Sequence, residues 1–441
     1  MKILKFEAYS IYGFIDVDIS FNDDLTLLTG VNGSGKTTSL NLISYMLSAN
    51  IKELLNISFT YLSLVIEHQK EEYHISYKRE KEALTISING LNETLVIPFF
   101  YKDNVNFIIS KNGNSDYFES IKLKYREHPI MERLLSFPSI TFLGLERRIE
   151  SVEKGNSYYS EREVMLRQKT IENKDRSLLR DSLGMSLMET ELRLQEIYKR
   201  MRHFEDRQTI KLRNSILFSA FKYTSFNPEK FESENWKNSA HLLNRKNEIM
   251  EALSKIDVLD KKMINEINHF FDRLDSLFVS LDNKEGGLNI EWLTNQAQIE
   301  RISELVDIID DHKSKLDKHF YPINKFLEKI NLFINDTNKN IIIDAVGQLV
   351  VVRPDGSKCT IEGLSSGERQ ILIIIAHAIL NQSSNKDSVF IIDEPELSLH
   401  MKWQEMFIDI VKGISPRTQF IMATHSPDIV GDYKNKCKGI R

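Results

Sequence analysis

The chain has 441 residues, which exceeds the usual size of one domain and predicts a compact core plus at least one further module. With 41% hydrophobic and 27% charged residues, and with 18 Gly and 9 Pro, its composition is typical of a folded soluble protein and excludes wholesale disorder and collagen-like structure. The formal net charge of −5 excludes a wholly basic coat for nucleic acid, although it allows a local basic patch.

Cysteine usage and hydropathy indicate the compartment. The two cysteines, Cys359 and Cys437, cannot form a disulfide framework or a zinc site by themselves, which favours a reducing environment. The first ten residues lack the apolar core of a signal peptide, and the most apolar runs, 371–375 and 389–392, are far shorter than a bilayer span. We therefore expect a cytoplasmic chain without a membrane segment.

The first part of the chain, residues 1–148, has the alternating hydrophobicity of strands and hairpins. The predicted strands are 2–8, 15–21, 25–29, 59–68, 72–79 and 84–89. In the second part, residues 149–338, Leu, Ile and Met recur at helical spacing among charged residues, and Pro228 and Pro322 are the expected helix breakers.

Strands return in the third part, residues 339–441, on both sides of an apolar helix that follows Gly367. These strands are predicted at 341–346, 348–352, 389–392 and 419–423. Two strand-rich ends around a helical middle predict one α/β domain that is split in sequence and interrupted by a helical insertion.

The insertion includes residues 161–204, which could form a helix of about 40 residues, or roughly 60 Å. Its heptads are irregular and Gly184 is expected to interrupt them, so the pattern favours a short helical hairpin over an extended coiled coil. Two interpretations stay open, a helical bundle with no binding role and an arm that contacts a partner or DNA.

Basic residues are concentrated in one stretch of the insertion but are mixed with acids. The bases are Arg193, Lys199, Arg200, Arg202, Arg207, Lys211 and Arg213, and the acids are Glu196, Glu205 and Asp206. Acids at this density favour a solvated helix or a protein-binding face over a track for phosphates. We expect the insertion to dock mainly a protein partner and the chain to bind duplex DNA weakly.

A phosphate-binding motif begins at residue 30, between a predicted strand and a predicted helix. The segment 30–37 fits the pattern G-x-x-x-x-G-K-[ST], whose glycines let the backbone N–H groups and the helix N-terminus surround phosphates. Lys36 is predicted to reach the terminal phosphates, and the Thr37 hydroxyl to take a magnesium position. The alternative, a glycine-rich turn that binds nothing, is disfavoured by the full match in this context. The predicted nucleotide-binding residues here are Gly30, Asn32, Gly33, Ser34, Gly35, Lys36, Thr37 and Thr38.

A pair of acids ends the apolar strand near residue 393. Asp393 is predicted to hold magnesium, and Glu394 to orient and deprotonate the attacking water. Acids often end strands, so this pair alone is a weak signal, and the phosphate loop strengthens it.

Two further motifs lie near the third-part helices. Ser365, Ser366, Gly367 and Glu368 stand directly before or at the start of the apolar helix, where hydroxyls and backbone N–H groups form a second anion site. In a chain that binds one nucleotide, this second anion site has a function only if it contacts the γ-phosphate bound by another chain. The alternative is that these residues simply cap the helix. His425 follows a predicted strand and is placed to contact the γ-phosphate or the attacking water.

In this order the four motifs resemble the ATP-binding-cassette ATPases of the branch that contains SMC, RecF and OLD-family proteins. The lead-in IYGFIDVDISF and the LSSGE sequence at 364–368 also resemble that branch, and the resemblance covers roughly 1–148 and 340–430. It implies an α/β ABC-type P-loop head with an antiparallel β subdomain, and ATP and Mg²⁺ as cofactors. It also implies two heads face to face, each ATP lying between one chain's phosphate loop and the other chain's Ser365 and Gly367.

The resemblance assigns a role to each motif. By it, 30–38 is Walker A, Asp393 with Glu394 is Walker B, 364–368 is the signature, 396–400 is the D-loop region and His425 is the switch histidine. Two positions depart from the pattern. The segment 141–148 occupies the place of the expected magnesium-binding glutamine, with Glu146 as a candidate substitute, and Tyr12 stands in place of the lead-in arginine.

Chain length distinguishes among the families that this sequence resembles. OLD nucleases continue into a TOPRIM domain, whereas this chain ends soon after His425, so we expect no nuclease within it. The remaining resemblance is to short stand-alone ATPases of bacterial antiphage systems, such as AriA of PARIS and PtuA of Septu, and both stay open. It implies a homo-oligomer of head-to-head dimers, a separately encoded TOPRIM or HNH effector nuclease, and a nucleic acid or phage protein as trigger. The alternatives are a RecF- or SMC-like DNA-repair ATPase and an assembly platform with negligible turnover.

Overall fold

The computed structural model describes residues 1–98, 124–138, 140–144, 149–151, 182–220, 240–256, 259–282, 290–382 and 388–440. The chain forms two compact units, of which the first combines Met1–Leu194 with Asn324–Arg441 and the second comprises Gln195–Ile323. All the described strands belong to the first unit, so the strand-rich ends of the sequence form one unit, as the hydrophobic pattern predicts.

Strands of the first unit form three sheets. In chain order they are β1 (Lys2–Ile11), β2 (Ile15–Ser20), β3 (Leu25–Thr29), β4 (Tyr61–His68), β5 (Glu71–Arg79), β6 (Ala83–Ile88), β7 (Leu95–Pro98), β8 (Thr141–Leu143), β9 (Ile149–Ser151), β10 (Asn340–Ile343), β11 (Leu349–Val352), β12 (Lys358–Thr360), β13 (Val389–Asp393), β14 (Gln419–Ala423) and β15 (Cys437–Gly439). The sheet orders are β2-β1-β4-β5-β6-β7, β10-β11-β12 and β15-β3-β14-β13-β8-β9.

Helices occur in both units. They are α1 (Lys36–Ser48), α2 (Ile51–Asn56), α3 (Pro129–Ser136), α4 (Ser182–Ala220), α5 (Lys246–Lys255), α6 (Lys261–Asp282), α7 (Ile290–Ile334), α8 (Ser366–Gln382), α9 (Met401–Ile414) and α10 (Pro427–Val430). Short 3-10 turns span Ala240–Arg245, Asn335–Thr337, Ile361–Gly363 and Lys434–Lys436. Among the described helices, none is both long and apolar enough to cross a membrane.

The third sheet is parallel from β15 through β8, with β9 antiparallel at its edge. Every residue of β13 and β14 is buried, because strands covered on both faces need continuous apolar runs. In this register Asp393 lies opposite Ala423, and Ala423 opposite Leu28. The carboxyl ends of β3, β13 and β14 therefore share one edge of the sheet.

The other two sheets are antiparallel. Strand β6 alternates half-buried and buried residues, as expected for a sheet with one face on the core. Its buried face belongs to a hydrophobic cluster that also contains Leu40 and Ile43 of α1 and Leu134 of α3. The predicted α/β head with an antiparallel β subdomain is thereby confirmed, and the six strands predicted in the first part agree with the structure to within a few residues.

The second unit is a bundle of helices with its own core. Leu212 of α4, Leu253 of α5, Phe271 of α6 and Val306 of α7 belong to one buried hydrophobic cluster. This compact unit is shorter than the predicted insertion 149–338, because β9 pairs with β8 and the end of α7 belongs to the first unit.

One predicted helix breaker does not break its helix. Pro322 lies inside α7. Pro322 removes one backbone hydrogen bond, but the nearby Ile323 and Phe326 are buried, so packing outweighs the local cost. The prediction for Pro322 is wrong, while Pro228 and the start of the predicted helix, to residue 181, lie outside the described residues. Gly184 lies in the first turn of the described part of α4, so the interruption of the heptads expected there stays a prediction.

Candidate active site

The phosphate loop connects β3 to α1, and its glycines are required by backbone geometry. Gly33 and Gly35 have φ angles of 82° and 92°, a region that favours glycine. A Cβ at Gly30 would lie 2.6 Å from the carbonyl oxygen of Ile440, which leaves no room for a side chain. The loop therefore keeps its backbone close to the start of α1, where N–H groups of the first turn have no helical partners.

Lys36 and Ser34 place polar groups in this loop. The Lys36 ammonium donates to the carbonyl oxygens of Gly30 at 2.9 Å and Val31 at 3.0 Å, and an ammonium has a third proton to donate. The hydroxyl of Ser34 is buried and makes no hydrogen bond among the described residues. An orphaned hydroxyl and a buried ammonium beside a helix N-terminus fit the phosphates of a nucleotide.

Three carboxylates lie close enough to Lys36 to interact with its charge. Burial lowers the pKa of Lys36, and the negative charges of Asp393, Glu394 and Glu396 act in the opposite direction. Asp393 ends β13 and is 1% exposed, whereas Glu394 is half-buried. The acid pair thus lies within electrostatic reach of the phosphate loop, where a carboxylate and the Thr37 hydroxyl suit Mg²⁺, a hard cation that prefers oxygen ligands.

The backbone at Glu394 is strained and fixed. Its φ angle is 47°, which is unusual for a residue with a side chain, and its N–H donates to the carbonyl oxygen of Ala423 at 2.9 Å. Strain of this kind is common at functional sites, where the surrounding structure enforces it. Here it directs the chain away from the sheet directly after Asp393.

Glu396 anchors the loop that carries His425. Its carboxylate accepts hydrogen bonds from the Thr424 hydroxyl at 2.9 Å and from the His425 N–H at 2.6 Å. The imidazole of His425 is exposed and lines a cleft of about 330 Å³ together with Gly30 and Lys434. The predicted switch histidine and the phosphate loop therefore border the same cleft.

The signature segment forms a capping box at the start of α8. The Glu368 carboxylate accepts a hydrogen bond from the Ser365 N–H at 2.7 Å, and the Glu368 N–H approaches the Ser365 hydroxyl at 3.4 Å. The side chains of Ser365 and Ser366 are exposed, whereas Glu368 is buried. Glu368 therefore supports the fold of this turn, and the two serines are presented to solvent.

The signature helix also packs against the loop that follows the acid pair. The Gln370 amide donates to the carbonyl oxygen of Pro395 at 2.9 Å, and a Cβ at Gly367 would lie only 2.3 Å from the carbonyl oxygen of Ser398. This closeness requires glycine at residue 367. It fixes the signature relative to the D-loop region of the same chain.

The structure gathers several of the sequence-predicted residues at one place. The phosphate loop, the acid pair and His425 lie at one sheet edge, with Thr37 and Thr38 half-buried in α1 and Asn32 exposed in the loop. Glu146, the predicted replacement for the missing glutamine, lies outside the described residues. Tyr12 is 50% exposed on the turn between β1 and β2.

Sequence reasoning missed two residues that organise this site. Glu396 was predicted only as part of the D-loop region, and its hydrogen bonds to the histidine loop join positions 28 and 29 residues apart. Lys339, which pairs with Glu368, lies 29 residues before its partner and belongs to no motif. No local spacing signals such contacts, since they arise only from the sheet topology.

Comparison with known proteins places this geometry in context. Residues 1–430 match the AAA_15 family, which is described as an AAA ATPase domain. This match confirms the predicted enzyme class, an ATPase.

Curated relatives are more distant. The retron Vc95 probable ATPase of Vibrio cholerae serotype O1 biovar El Tor is 26% identical over 47% of this chain and 41% of its own length. The Septu protein PtuA of Bacillus thuringiensis is 29% identical over 18% of this chain and 23% of its own, and the retron Ec83 probable ATPase of Escherichia coli is 26% identical over 26% of each. The chain thus spans less than half the length of each relative. The predicted resemblance to defence-system ATPases such as PtuA is confirmed.

Among solved structures, the chain is similar to the Smc head domain derived from Pyrococcus furiosus, crystallised with an extended coiled coil and bound to the C-terminal domain of ScpA. The two share 13% sequence identity and a TM-score of 0.41, over 97% of this chain and 91% of that chain. The SMC head domain from Thermotoga maritima gives 12% identity and a TM-score of 0.36, over 98% and 93% of the respective chains.

Proposed function

The chain belongs to the AAA ATPase domain family, and we propose that it hydrolyses ATP in a site shared by two copies of the chain. One observation carries this proposal: the phosphate loop, the acid pair and His425 follow three neighbouring strands, β3, β13 and β14, at one edge of the sheet. Ligands of open parallel sheets bind outside the carboxyl ends of the strands. We call this arrangement, completed by Ser365 and Gly367 of a second copy, the shared ATP site.

Each residue at this edge has a distinct task. The backbone of 30–35 and the ammonium of Lys36 bind phosphate oxygens, while Thr37 and Asp393 hold Mg²⁺. Bound ATP with its Mg²⁺ supplies the phosphoric anhydride that is cleaved and a cation that neutralises its charge. Glu394 accepts a proton from the attacking water, and the His425 imidazole orients that water or the γ-phosphate.

The second copy supplies Ser365 and Gly367. Ser365 and Ser366 are exposed at the N-terminus of α8 and offer hydroxyl donors, whereas the Ser365 N–H is taken by Glu368 and Gly367 is buried beside Ser398. No described contact joins this turn to the phosphate loop of the same chain. A twofold head-to-head dimer pairs the same two surfaces twice, which closes both sites.

Separate measurements of binding and turnover test the roles of Lys36 and Glu394. Lys36→Ala should abolish ATP binding, because it removes the cation of the loop. Glu394→Gln should retain ATP and trap the closed dimer, because it removes the base but keeps the shape. Hydrolysis by Glu394→Gln at the wild-type rate would refute the assignment of the base.

Mixing two inactive variants tests the shared site. Ser365→Arg should abolish hydrolysis while ATP affinity of the monomer stays close to wild type. A heterodimer with Lys36→Ala then contains one intact site, formed by the phosphate loop of the first chain and Ser365 of the second. Absence of recovery in a mixture shown to form heterodimers would argue for sites contained in one chain.

We further propose that this ATPase controls a separately encoded effector nuclease in a bacterial antiphage system. The similarity to retron and Septu proteins supports this role, which deepens the ATPase assignment. The ATP-dependent closure of two heads would then hold or release the effector.

The charges of α4 support docking of a protein on the helical unit. Arg200 donates to Glu196 at 2.8 Å and Arg202 to Glu205 at 2.7 Å, so acids on the same helix neutralise these bases. A salt-titrated duplex-binding assay on wild type and on an Arg200→Glu, Arg202→Glu, Lys211→Glu variant tests this. Weak binding in both is expected at physiological ionic strength. Tight wild-type binding that the variant loses would favour DNA repair instead.

A further inference from the structure

The buried carboxylate of Glu368 has more partners than a helix cap requires. Its Oε1 accepts hydrogen bonds from the Thr337 hydroxyl at 2.9 Å and from the Lys339 ammonium at 3.0 Å. Its Oε2 accepts from Lys339 at 3.0 Å and from the Ser365 N–H at 2.7 Å. Only 1% of Glu368 is exposed, so its charge depends on these partners.

These partners keep Glu368 ionised. Burial acts to raise its pKa, but the hydrogen bonds from Ser365, Lys339 and Thr337 outweigh burial, so the pKa lies below the ordinary value. Lys339 is the single described cation within salt-bridge distance of this carboxylate. Loss of that cation leaves a buried charge that must take up a proton or draw away from the Ser365 N–H.

Thr337 and Lys339 belong to the turn that follows α7. The turn consists of the 3-10 segment Asn335–Thr337 and of Asn338 in a left-handed conformation, with φ 54°, and it leads into β10. Asp336 in the same turn accepts hydrogen bonds from the Lys402 ammonium at 2.6 Å and the Trp403 indole at 3.0 Å, at the start of α9. The turn is therefore fixed both to the signature and to the helix after the D-loop region.

We infer that Lys339 is a positioning residue of the shared ATP site: through Glu368 it sets the position of the Ser365 backbone that one copy presents to the nucleotide of the other. The inference rests on the proposed function. Among the described contacts, Glu368 is the one predicted nucleotide-binding residue whose side chain Lys339 contacts. The helix α7 ends directly before this turn. A displacement of its C-terminus would therefore move Lys339, and through the Glu368 carboxylate it would move Ser365.

Kinetics of single variants give the first test. Lys339→Met removes the cation and keeps an apolar stem, and it should lower kcat about tenfold or more while the affinity of the monomer for a fluorescent ATP analogue stays within about twofold. Lys339→Arg keeps the charge and should retain at least about half of the wild-type kcat. Lys358→Met alters an exposed lysine of β12 and serves as the matched control. A wild-type kcat for Lys339→Met would overturn the inference.

A milder variant guards against misfolding. Thr337→Val deletes a hydroxyl that lies 2.9 Å from both Glu368 Oε1 and the carbonyl oxygen of Ile334, and it leaves the ion pair. It should lower kcat about threefold with the melting temperature within a few degrees of wild type. If Lys339→Met does not fold, an unchanged kcat in Thr337→Val would overturn the inference in its place.

Mixing variants distinguishes a positioning role of Lys339 from a general loss of folding. Lys339→Met mixed with Lys36→Ala forms a heterodimer in which one site combines an intact phosphate loop with an intact signature, so hydrolysis should return. The Ser365→Arg and Lys36→Ala pair is the reference. Recovery in the reference but not with Lys339→Met would overturn this inference alone. Failure of the reference would overturn the shared site and the inference together.

Discussion

Protonation of one buried histidine should destabilise the ATPase head at mildly acidic pH. His377 of α8 is 1% exposed, and its Nε2 lies 3.2 Å from the Thr190 hydroxyl of α4. That hydroxyl donates to the carbonyl oxygen of Ser186 at 2.7 Å, so it accepts from His377, which fixes the neutral Nε2–H tautomer. Burial, with a smaller contribution from the charge of Arg193, lowers the pKa of His377 to about 3.

The magnitude follows from proton linkage. In the unfolded chain the pKa of a histidine is about 6.5, so the unfolded state binds more protons than the folded state between pH 6.5 and pH 3. The folded state therefore loses stability as pH falls through this window. Between pH 7 and pH 5 the single site should lower the free energy of unfolding by about 2 kcal/mol.

Urea unfolding at pH 7 and pH 5 measures this difference. His377→Asn cannot titrate in this range, so its free energy of unfolding should change by about 2 kcal/mol less than that of wild type between the two pH values. His269→Asn, at an exposed position of α6, is the control and should behave as wild type. Equal pH dependence in wild type and His377→Asn would refute a neutral, buried imidazole.

Two other substitutions have defined outcomes. Gly367→Ala places a Cβ 2.3 Å from the carbonyl oxygen of Ser398, so steady-state ATPase assays should show a loss of about tenfold or more, and an unchanged rate would contradict the close approach. Asp24→Asn removes the partner of Lys412 and Lys436, whose hydrogen bonds outweigh burial and hold the pKa of Asp24 well below its usual range. This carboxylate is partly exposed, so urea unfolding at pH 7 should show a loss of about 1 kcal/mol, and the difference should begin to shrink as pH falls below about 4, where the carboxylate of the unfolded chain takes up its proton.

Local pattern accounts for much of the head. The alternation in 72–79 and 84–89 predicts β5 and β6 almost residue for residue, because a sheet with one covered face imposes a period of two. The phosphate loop is predictable because its strand, glycines and helix are adjacent in sequence. Pro322 is mistaken for a breaker because single-residue propensities omit the packing that overrides them.

The contacts that the sequence could not predict join residues far apart in the chain. Glu368 is recognisable as part of a motif, yet its pairing with Lys339 depends on where α7 ends and β10 begins. The tie between Glu396 and the His425 loop exists only once β13 and β14 are neighbours. The sequence pattern thus identifies the residues predicted to surround the nucleotide, whereas the residues that hold them in place are set by topology.

The position of β3 between β14 and β15 has a consequence for biosynthesis. The Ile3 N–H donates to the Gln419 side chain across 416 positions, and Ile440 donates to Thr29, so the first strands are completed by the last. Contacts between such distant residues form late in folding, whereas the cluster of Gln195–Ile323 needs only nearby chain. A nascent chain on the ribosome therefore carries a finished phosphate-loop sequence long before it can bind nucleotide.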